Sequence, residues 1–331
     1  WGLFWYYVII SIIFNSFYTA VNLPYTALTP ELTQDYDERT SLNSFRFTFS
    51  IGGSILSLFL ALGVFALVKV DRQQKYLVLA AICTVLSVLP LFWCVWGVRD
   101  RVLASEARRI ETEDTQTIPI LAQLKITFSN RPFLYVVGIY LCSWLGVQVT
   151  ASILPYFVVN WMGLSEAEFY LVAIAVQGTA LIMLFVWSAV SKRFGKKAVY
   201  YMGMTLWIIA QAGLFFLQRG QIGFMYFLAV LAGCGVSVAY LIPWSMMPDV
   251  IELDELKTGQ RREGIFYGFM VLLQKFGLAL GLFLVGQALQ IAGFIATVPG
   301  QPAPVQPESA LLAIRISIGP LPTIALIFGL V

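Results

Sequence analysis

Nine stretches of this chain are too long and too apolar to be packed away inside a water-soluble domain. They fall at about 1–27, 46–68, 76–98, 132–159, 168–190, 199–217, 222–247, 264–295 and 310–331. A helix of about 20 apolar residues crosses the ~30 Å hydrocarbon layer of a bilayer. Leu, Phe, Ile and Val run through these stretches without the alternation of a membrane β-barrel. Helices are then the way to satisfy the backbone in lipid. Composition agrees, with 59% hydrophobic and only 12% charged residues, where a soluble domain carries about 25% charged. The fold class is therefore all-α: a polytopic membrane protein built as a helical bundle.

The connections between the stretches set the orientation. One alternate set carries Arg39 and Arg46, then Arg99, Arg101, Arg108, Arg109, Lys125 and Arg131, then Lys192, Arg193, Lys196 and Lys197, then Lys257, Arg261 and Arg262. The other set carries only Lys69, Arg72, Lys75 and Arg219. Basic residues accumulate on the cytoplasmic side, so the first stretch runs from outside to inside and the ninth ends in the cytoplasm. The expected location is a multi-pass position in the inner or plasma membrane, with membrane lipids as partners.

The longest connection, 99–131, is also the most charged. It divides the chain into three spans at 1–98, a cytoplasmic linker at 99–131, and six spans at 132–331. The tail of the linker, from Ile118 to Phe128, is either a short amphipathic helix at the interface or a plain turn. The chain opens at Trp1 inside an apolar stretch, which reads as a cut in a longer protein. A weak echo supports this. Pro30-Glu31 followed by Asp37-Glu38-Arg39 resembles Pro248-Asp249 followed by Asp254-Glu255 and Arg261-Arg262. Two repeated six-span halves, a known transporter design, would place three more helices before this chain, and those N-terminal helices of the same protein are expected partners.

Several chemistries are disfavoured. A formal charge of +3 without a basic patch gives no reason to expect a nucleic-acid partner. Histidine is absent, and the four cysteines (Cys83, Cys94, Cys142 and Cys234) each sit in an apolar run without ligand spacing. They read as small hydrophobes rather than metal ligands. No catalytic residue, resident metal or cofactor is expected.

One residue breaks the apolar pattern where a break is expensive. Lys275 lies near the middle of the eighth stretch, about 12 residues or ~18 Å along a helix from the preceding charges Glu263 and Arg262. A lysine at such depth costs about 2.5–3.5 kcal/mol, so it is expected to face a wet cavity or an ion-pair partner rather than to snorkel to the interface. Its expected partner is an acid on the missing helices, the substrate, or backbone carbonyls and water. The first stretch carries a polar stripe at helical spacing: Asn15, Tyr18 or Thr19, Asn22 and Thr26, with Tyr25 beside them. Such a face either joins helices or lines a cavity. Trp144 and Gln148 share one face of the fourth stretch, joined by Thr150 and by Gln177 of the fifth. Tyr240 and Trp244 make a similar pair in the seventh. Aromatic rings beside amides suit a sugar ring, a lipid chain, or ordinary helix packing. Gly277 and Gly281 permit close helix approach. Asp35, Asp37, Arg39 and Arg46 on one cytoplasmic connection, and Lys192, Arg193, Asp249, Asp254, Arg261 and Arg262 on later ones, read either as ion pairs that latch the cytoplasmic side or as a solvated face.

Three segments carry a resemblance to a known family. These are Asn22-Leu23-Pro24-Tyr25-Thr26-Ala27-Leu28-Thr29-Pro30 running on to Asp35, Asp37, Glu38, Arg39 and Ser41; then Lys192-Arg193-Phe194-Gly195-Lys196-Lys197; then Asp249 through Gly259, Arg261-Arg262-Glu263-Gly264-Ile265-Phe266-Tyr267 and Gln274-Lys275-x-Gly277. Together they resemble the glycoside–pentoside–hexuronide:cation symporter family of the major facilitator superfamily. The resemblance implies twelve helices in two halves, with this chain matching the fourth to twelfth. It implies sodium- or proton-coupled uptake of a glycoside-like solute. A related animal branch moves lysophospholipids with sodium. The family's cation-binding acids lie mostly in its second helix, outside this chain. Asn22 stands where the family has a sugar-binding acid. Lys275 matches a family lysine, and Arg46 resembles a family arginine.

The expected function is secondary active symport of a sugar-like solute by alternating access. Asn22, Tyr25, Trp144, Tyr240 and Lys275 would lie at the cavity, with Tyr18, Thr26 and Gln148 beside them. An amphiphile as the substrate is one alternative, and a non-transporting membrane assembly protein is another. An enzyme is the least expected class.

Overall fold

The computed structural model describes residues 2–32, 36–68, 71–110, 130–258, 263–296 and 304–330, and every regular element among them is a helix. The elements are α1 (Gly2–Leu32), α2 (Tyr36–Leu67), α3 (Arg72–Ile110), α4 (Arg131–Tyr156), α5 (Glu166–Phe194), α6 (Lys196–Phe216), α7 (Ile222–Thr258), α8 (Glu263–Ile291), α9 (Glu308–Ile318) and α10 (Pro320–Leu330). Among the described residues they supply nine apolar segments long enough to cross a membrane, in the order expected from the sequence.

Helix ends follow local chemistry. Asn130 caps α4 by accepting from the Phe133 N–H, and Pro132 sits in the first turn, where its missing N–H costs nothing. Ser165 caps α5 through the Glu168 N–H. Glu166 and Glu168 lie at the positive end of that helix, and Lys192 and Arg193 at its negative end. The chain then turns at Gly195 with φ 82°, a conformation that favours glycine.

Three features depart from the expected boundaries. α3 continues to Ile110, so the first part of the 99–131 connection is helical: charged residues such as Arg99 and Asp100 extend the helix beyond the apolar span without breaking it. Residues 111–129, including the expected interfacial segment, lie outside the described residues. α4 ends in a single π-helical turn, Phe157–Trp161, closed by the Met162 N–H on the Phe157 carbonyl at 3.0 Å. The last span is two short helices, broken at Gly319 before Pro320. A Cβ at Gly319 would stand 2.7 Å from Phe215 Cβ and 3.0 Å from the Gln211 carbonyl, so the break lets the chain press against α6. By contrast α1 runs unbroken through Pro24.

The densest packing joins α6 to α7 and α5 to α7. Its centre is the fully buried Trp207, with Met204, Ala210, Ala239 and Leu326 around it. Small residues set the helix spacing: a Cβ at Gly235 would fall on Trp207 Cβ, and one at Gly203 on Val238. α4 packs along α8, where Gly277 would place a Cβ 2.7 Å from Trp144 Cδ1 and Gly281 one 2.9 Å from Gln148 Cβ. Both glycines thus serve the close approach anticipated for them. Helices α1–α3 make a smaller group, which meets the rest through α2 along α5 and α1 against α8. The outward faces of α1 and α3 are strongly apolar, with Phe17 72% and Trp96 81% exposed.

Candidate functional site

The two helix groups line a half-open cavity of about 420 Å³. α1 contributes Tyr18, Asn22 and Tyr25; α2 contributes Arg46, Phe47, Ser50 and Ser54; α4, α5, α7 and α8 contribute Trp144, Gln177, Tyr240, Trp244 and Gln274. The i, i+4 spacing of Tyr18 and Asn22 on α1 and of Arg46, Ser50 and Ser54 on α2 aims each set at one side. Tyr18 and Asn22 of the polar stripe, with Tyr25 beside them, are therefore cavity wall, while Asn15 and Thr19 meet Lys275.

Lys275 closes the joint between α1 and α8. Its Nζ donates to the Asn15 carbonyl at 3.2 Å and to the Thr19 hydroxyl, and it lies 5.6 Å from the centre of the Tyr18 ring. Thr19 in turn donates to the Asn15 carbonyl at 2.6 Å. The ammonium thus has a main-chain oxygen, a hydroxyl and an aromatic face from the other helix group. Sequence had left its partner open among an acid, the substrate, and backbone or water.

Trp144 has two functions. Its Nε1 donates to the Gln274 carbonyl at 2.9 Å, which fixes α4 to α8 one residue before Lys275, and its ring borders the cavity. It belongs to an aromatic cluster: Tyr140 stacks on it at 5.9 Å, Tyr240 meets it edge-on at 5.5 Å, and Tyr140 meets Trp244 at 6.0 Å. Tyr267 stacks on Trp244 at 6.1 Å, and Phe47 from α2 meets the same ring at 6.1 Å. Tyr140 and Phe47 were not singled out from sequence. Tyr140, Trp144 and Gln148 form an i, i+4, i+8 stripe that would have found the first. Phe47 looks like any lipid-facing phenylalanine until its neighbours are known.

A second chamber of about 360 Å³ adjoins the first. Its walls are mainly apolar, including Val147, Leu154, Phe157, Val172 and Met225, with Gln148 and Thr150 among the polar exceptions. Ser54, Gln177 and Tyr240 border both chambers.

The residues expected at the cytoplasmic rim divide into three groups. Arg46 is the second residue of the apolar span Phe45–Leu67, at its cytoplasmic edge, and it also lines the cavity; its guanidinium rests 4.9 Å from the Trp244 ring. Asp249 and Asp254 are bound within the larger helix group. Asp249 accepts from Lys196 at 2.7 and 2.9 Å, and Lys196 also donates to the Ser245 carbonyl at 2.7 Å. The buried Asp254 accepts from Asn130 Nδ2 at 3.1 Å, which holds the end of α7 to the start of α4. Lys192 and Arg193 are exposed, and Lys192 borders a groove with Phe47 and Thr48 of α2. The side chains of Thr26, Asp35, Asp37, Arg39, Arg261 and Arg262 lie outside the described residues.

Among the described residues no group of histidine, cysteine and acidic side chains is arranged to hold a metal ion. A family profile for MFS/sugar transport proteins matches residues 2–331.

The chain belongs to the MFS/sugar transport protein family.

Family membership, nine apolar helices among the described residues and the names of its relatives place the protein among multi-pass membrane secondary transporters. It is 49% identical to an uncharacterised symporter of Synechocystis sp., over all of this chain and 74% of the relative. It is 27% identical to a proposed sulfoquinovose importer of Salmonella typhimurium, over 93% of this chain and 62% of that protein. It is 24% identical to sodium-dependent lysophosphatidylcholine symporter 1 of Mus musculus, over 99% of this chain and 64% of the relative. This MFS/sugar transport protein thus spans about three quarters of the first relative and under two thirds of the other two.

Proposed function

We propose that the protein works in cation-coupled symport, with a sugar- or glycoside-like solute bound in the 420 Å³ cavity and exposed alternately to each side of the membrane. The observation that carries this reading is Lys275: a cation on α8, held by α1 across the junction of the two helix groups and beside a polar, aromatic-walled cavity. A charge placed there can sense both the solute and the relative position of the groups. Rings with adjacent amides, here Trp144, Tyr240, Gln177 and Asn22, match the alternating apolar and hydroxyl faces of a sugar. Sodium or a proton is the proposed coupling ion. The chemistry required is binding and release; no covalent step is needed, and the reading is of a transporter rather than an enzyme.

A second reading, an amphiphilic substrate, is favoured by one observation: an apolar chamber shares the walls Ser54, Gln177 and Tyr240 with the polar one. A headgroup would occupy the polar chamber and a chain the apolar one.

The test is solute counterflow in sealed proteoliposomes containing the full-length protein, with and without a sodium or proton gradient. Gradient-dependent accumulation of a sugar-like solute supports the first reading and accumulation of a lysophospholipid the second. No ion-dependent movement across a broad panel of both classes overturns symport.

A further inference from the structure

Leu184, Ser188 and Lys192 stand at i, i+4 and i+8 on α5, so they share one face at successive depths, each step being about 6 Å of helix. They line one wall of a half-open groove of about 290 Å³, apart from the central cavity. Phe47 and Thr48 of α2 form another wall, and the buried Leu241 of α7 also borders it. α5 ends at Phe194, so the Lys192 ammonium reaches the cytoplasmic surface in the orientation derived from the basic connections. Thr48 is the fourth residue of its apolar span and lies within about one turn of that surface. Phe185, deeper in the membrane span, is 57% exposed at the groove edge, so the groove opens sideways toward the acyl chains of the bilayer.

We propose that this groove holds an anionic phospholipid of the cytoplasmic leaflet as a bound, untransported partner, with its phosphate on Lys192. The chemistry of the walls changes with depth in the order of such a lipid. A cation stands at the surface, the hydroxyls of Ser188 and Thr48 lie beside the glycerol esters, and Leu184, Phe185 and Leu241 meet the start of one acyl chain. Charge favours an anionic headgroup over a zwitterionic one. The turn after α5 carries Lys192, Arg193, Lys196 and Lys197, of which Lys196 is answered by Asp249, and basic pockets between helices on the cytoplasmic side attract anionic headgroups. A choline group would meet the same positive field and be repelled. A soluble phosphate would satisfy the lysine but leave the apolar walls unused. The two walls come from different helix groups, so a lipid in the groove bridges them at their cytoplasmic ends. It also shares Phe47 with the central cavity.

Native mass spectrometry of the full-length protein tests the site by titration with phosphatidylglycerol, phosphatidylcholine of the same chains, and chain-free glycerophosphoglycerol. Wild type should bind phosphatidylglycerol at least about fivefold more tightly than phosphatidylcholine, and the chain-free headgroup should not saturate the protein. Lys192→Gln should bring the ratio of the two lipids below about twofold. Lys197→Gln removes the same charge from the same turn but not from the groove wall, and should keep most of the preference. Ala189→Trp fills the groove without changing the charge and should weaken phosphatidylglycerol binding as much as Lys192→Gln does. Equal affinity for the two lipids in wild type, or equal losses in Lys192→Gln and Lys197→Gln, as a diffuse basic surface predicts, would overturn the proposal. So would unchanged binding in Ala189→Trp, or chain-free headgroup binding as tight as that of the lipid.

Discussion

Lys275 shows what a polar side chain needs at membrane depth. Its ammonium is answered by the Asn15 carbonyl and the Thr19 hydroxyl, both on a helix of the other group. Lys275→Ala removes this tie, and counterflow should fall at least about tenfold if the cation organises the cavity; rates and ion dependence equal to wild type would remove Lys275 from the mechanism. Asp249 makes the contrasting case. Its side chain is 47% exposed and its partner Lys196 24%, and exposed pairs contribute about 0–1 kcal/mol. Both residues also belong to the same helix group. Asp249→Asn should therefore lower thermal stability slightly and leave counterflow near wild type. A large shift in the inward-to-outward population of that variant, read by spectroscopic distance measurements, would show that the pair does more than hold α6 to α7.

Helix spacing decides outcomes at the level of the element. A Cβ on Gly235 meets Trp207 Cβ, with the Gly203 carbonyl 3.0 Å away. Neither can yield as a flexible side-chain tip would. Gly235→Ala should thus cost about 1–3 kcal/mol through overpacking, seen as a lower melting temperature in detergent. Gly178→Ala is the matched control: nothing stands within 4 Å of its Cβ, and replacing glycine by alanine inside a helix gains about 0.5–1 kcal/mol. Equal melting temperatures for the two variants would contradict the packing described for α6 and α7. The elements themselves were legible in the sequence because lipid imposes a simple length rule on apolar runs. Three details were not. The cytoplasmic extension of α3 is polar helix, to which an apolar-run reading is blind. The Gly319 break depends on the approach of Phe215, a contact about 100 residues away in sequence. The π-turn at Phe157–Trp161 is likewise tied down by distant partners, with Trp161 Nε1 donating to the Leu217 carbonyl at 3.0 Å and its own carbonyl accepting from Arg219 Nε at 2.9 Å.

For the whole molecule, the basic connections fix the orientation in the membrane. With the basic connections inside, a cysteine in place of Arg193 should react with a membrane-impermeant maleimide only after the vesicles are opened. One in place of Gln218, at the opposite end of α6, should react in right-side-out vesicles. The reverse pattern would invert the topology. Candidate cavity residues were legible where a polar side chain stood out against grease, as Asn22 and Gln177 did; Lys275 stood out in the same way, but it sits at the α1–α8 joint while its neighbour Gln274 lines the cavity. Arg46 was legible as a charge at the cytoplasmic edge of an apolar run; its place on the cavity wall shows only through the nearness of Trp244. Phe47 and Tyr140 stayed hidden because aromatic side chains are common on every face of such a bundle.

The partition between the two chambers has a consequence for selectivity. Ser54 comes from one helix group, Gln177 and Tyr240 from the other, so the border between the chambers is held like a pair of jaws rather than drilled through one wall. Under alternating access its width would change as the groups move, and no single helix would set it. A sieve of that kind grades cargo by bulk as well as by chemistry. Trimming one tooth, as in Tyr240→Ala, should admit wider cargo, and a competition series of increasingly bulky glycosides would detect the relaxed size limit.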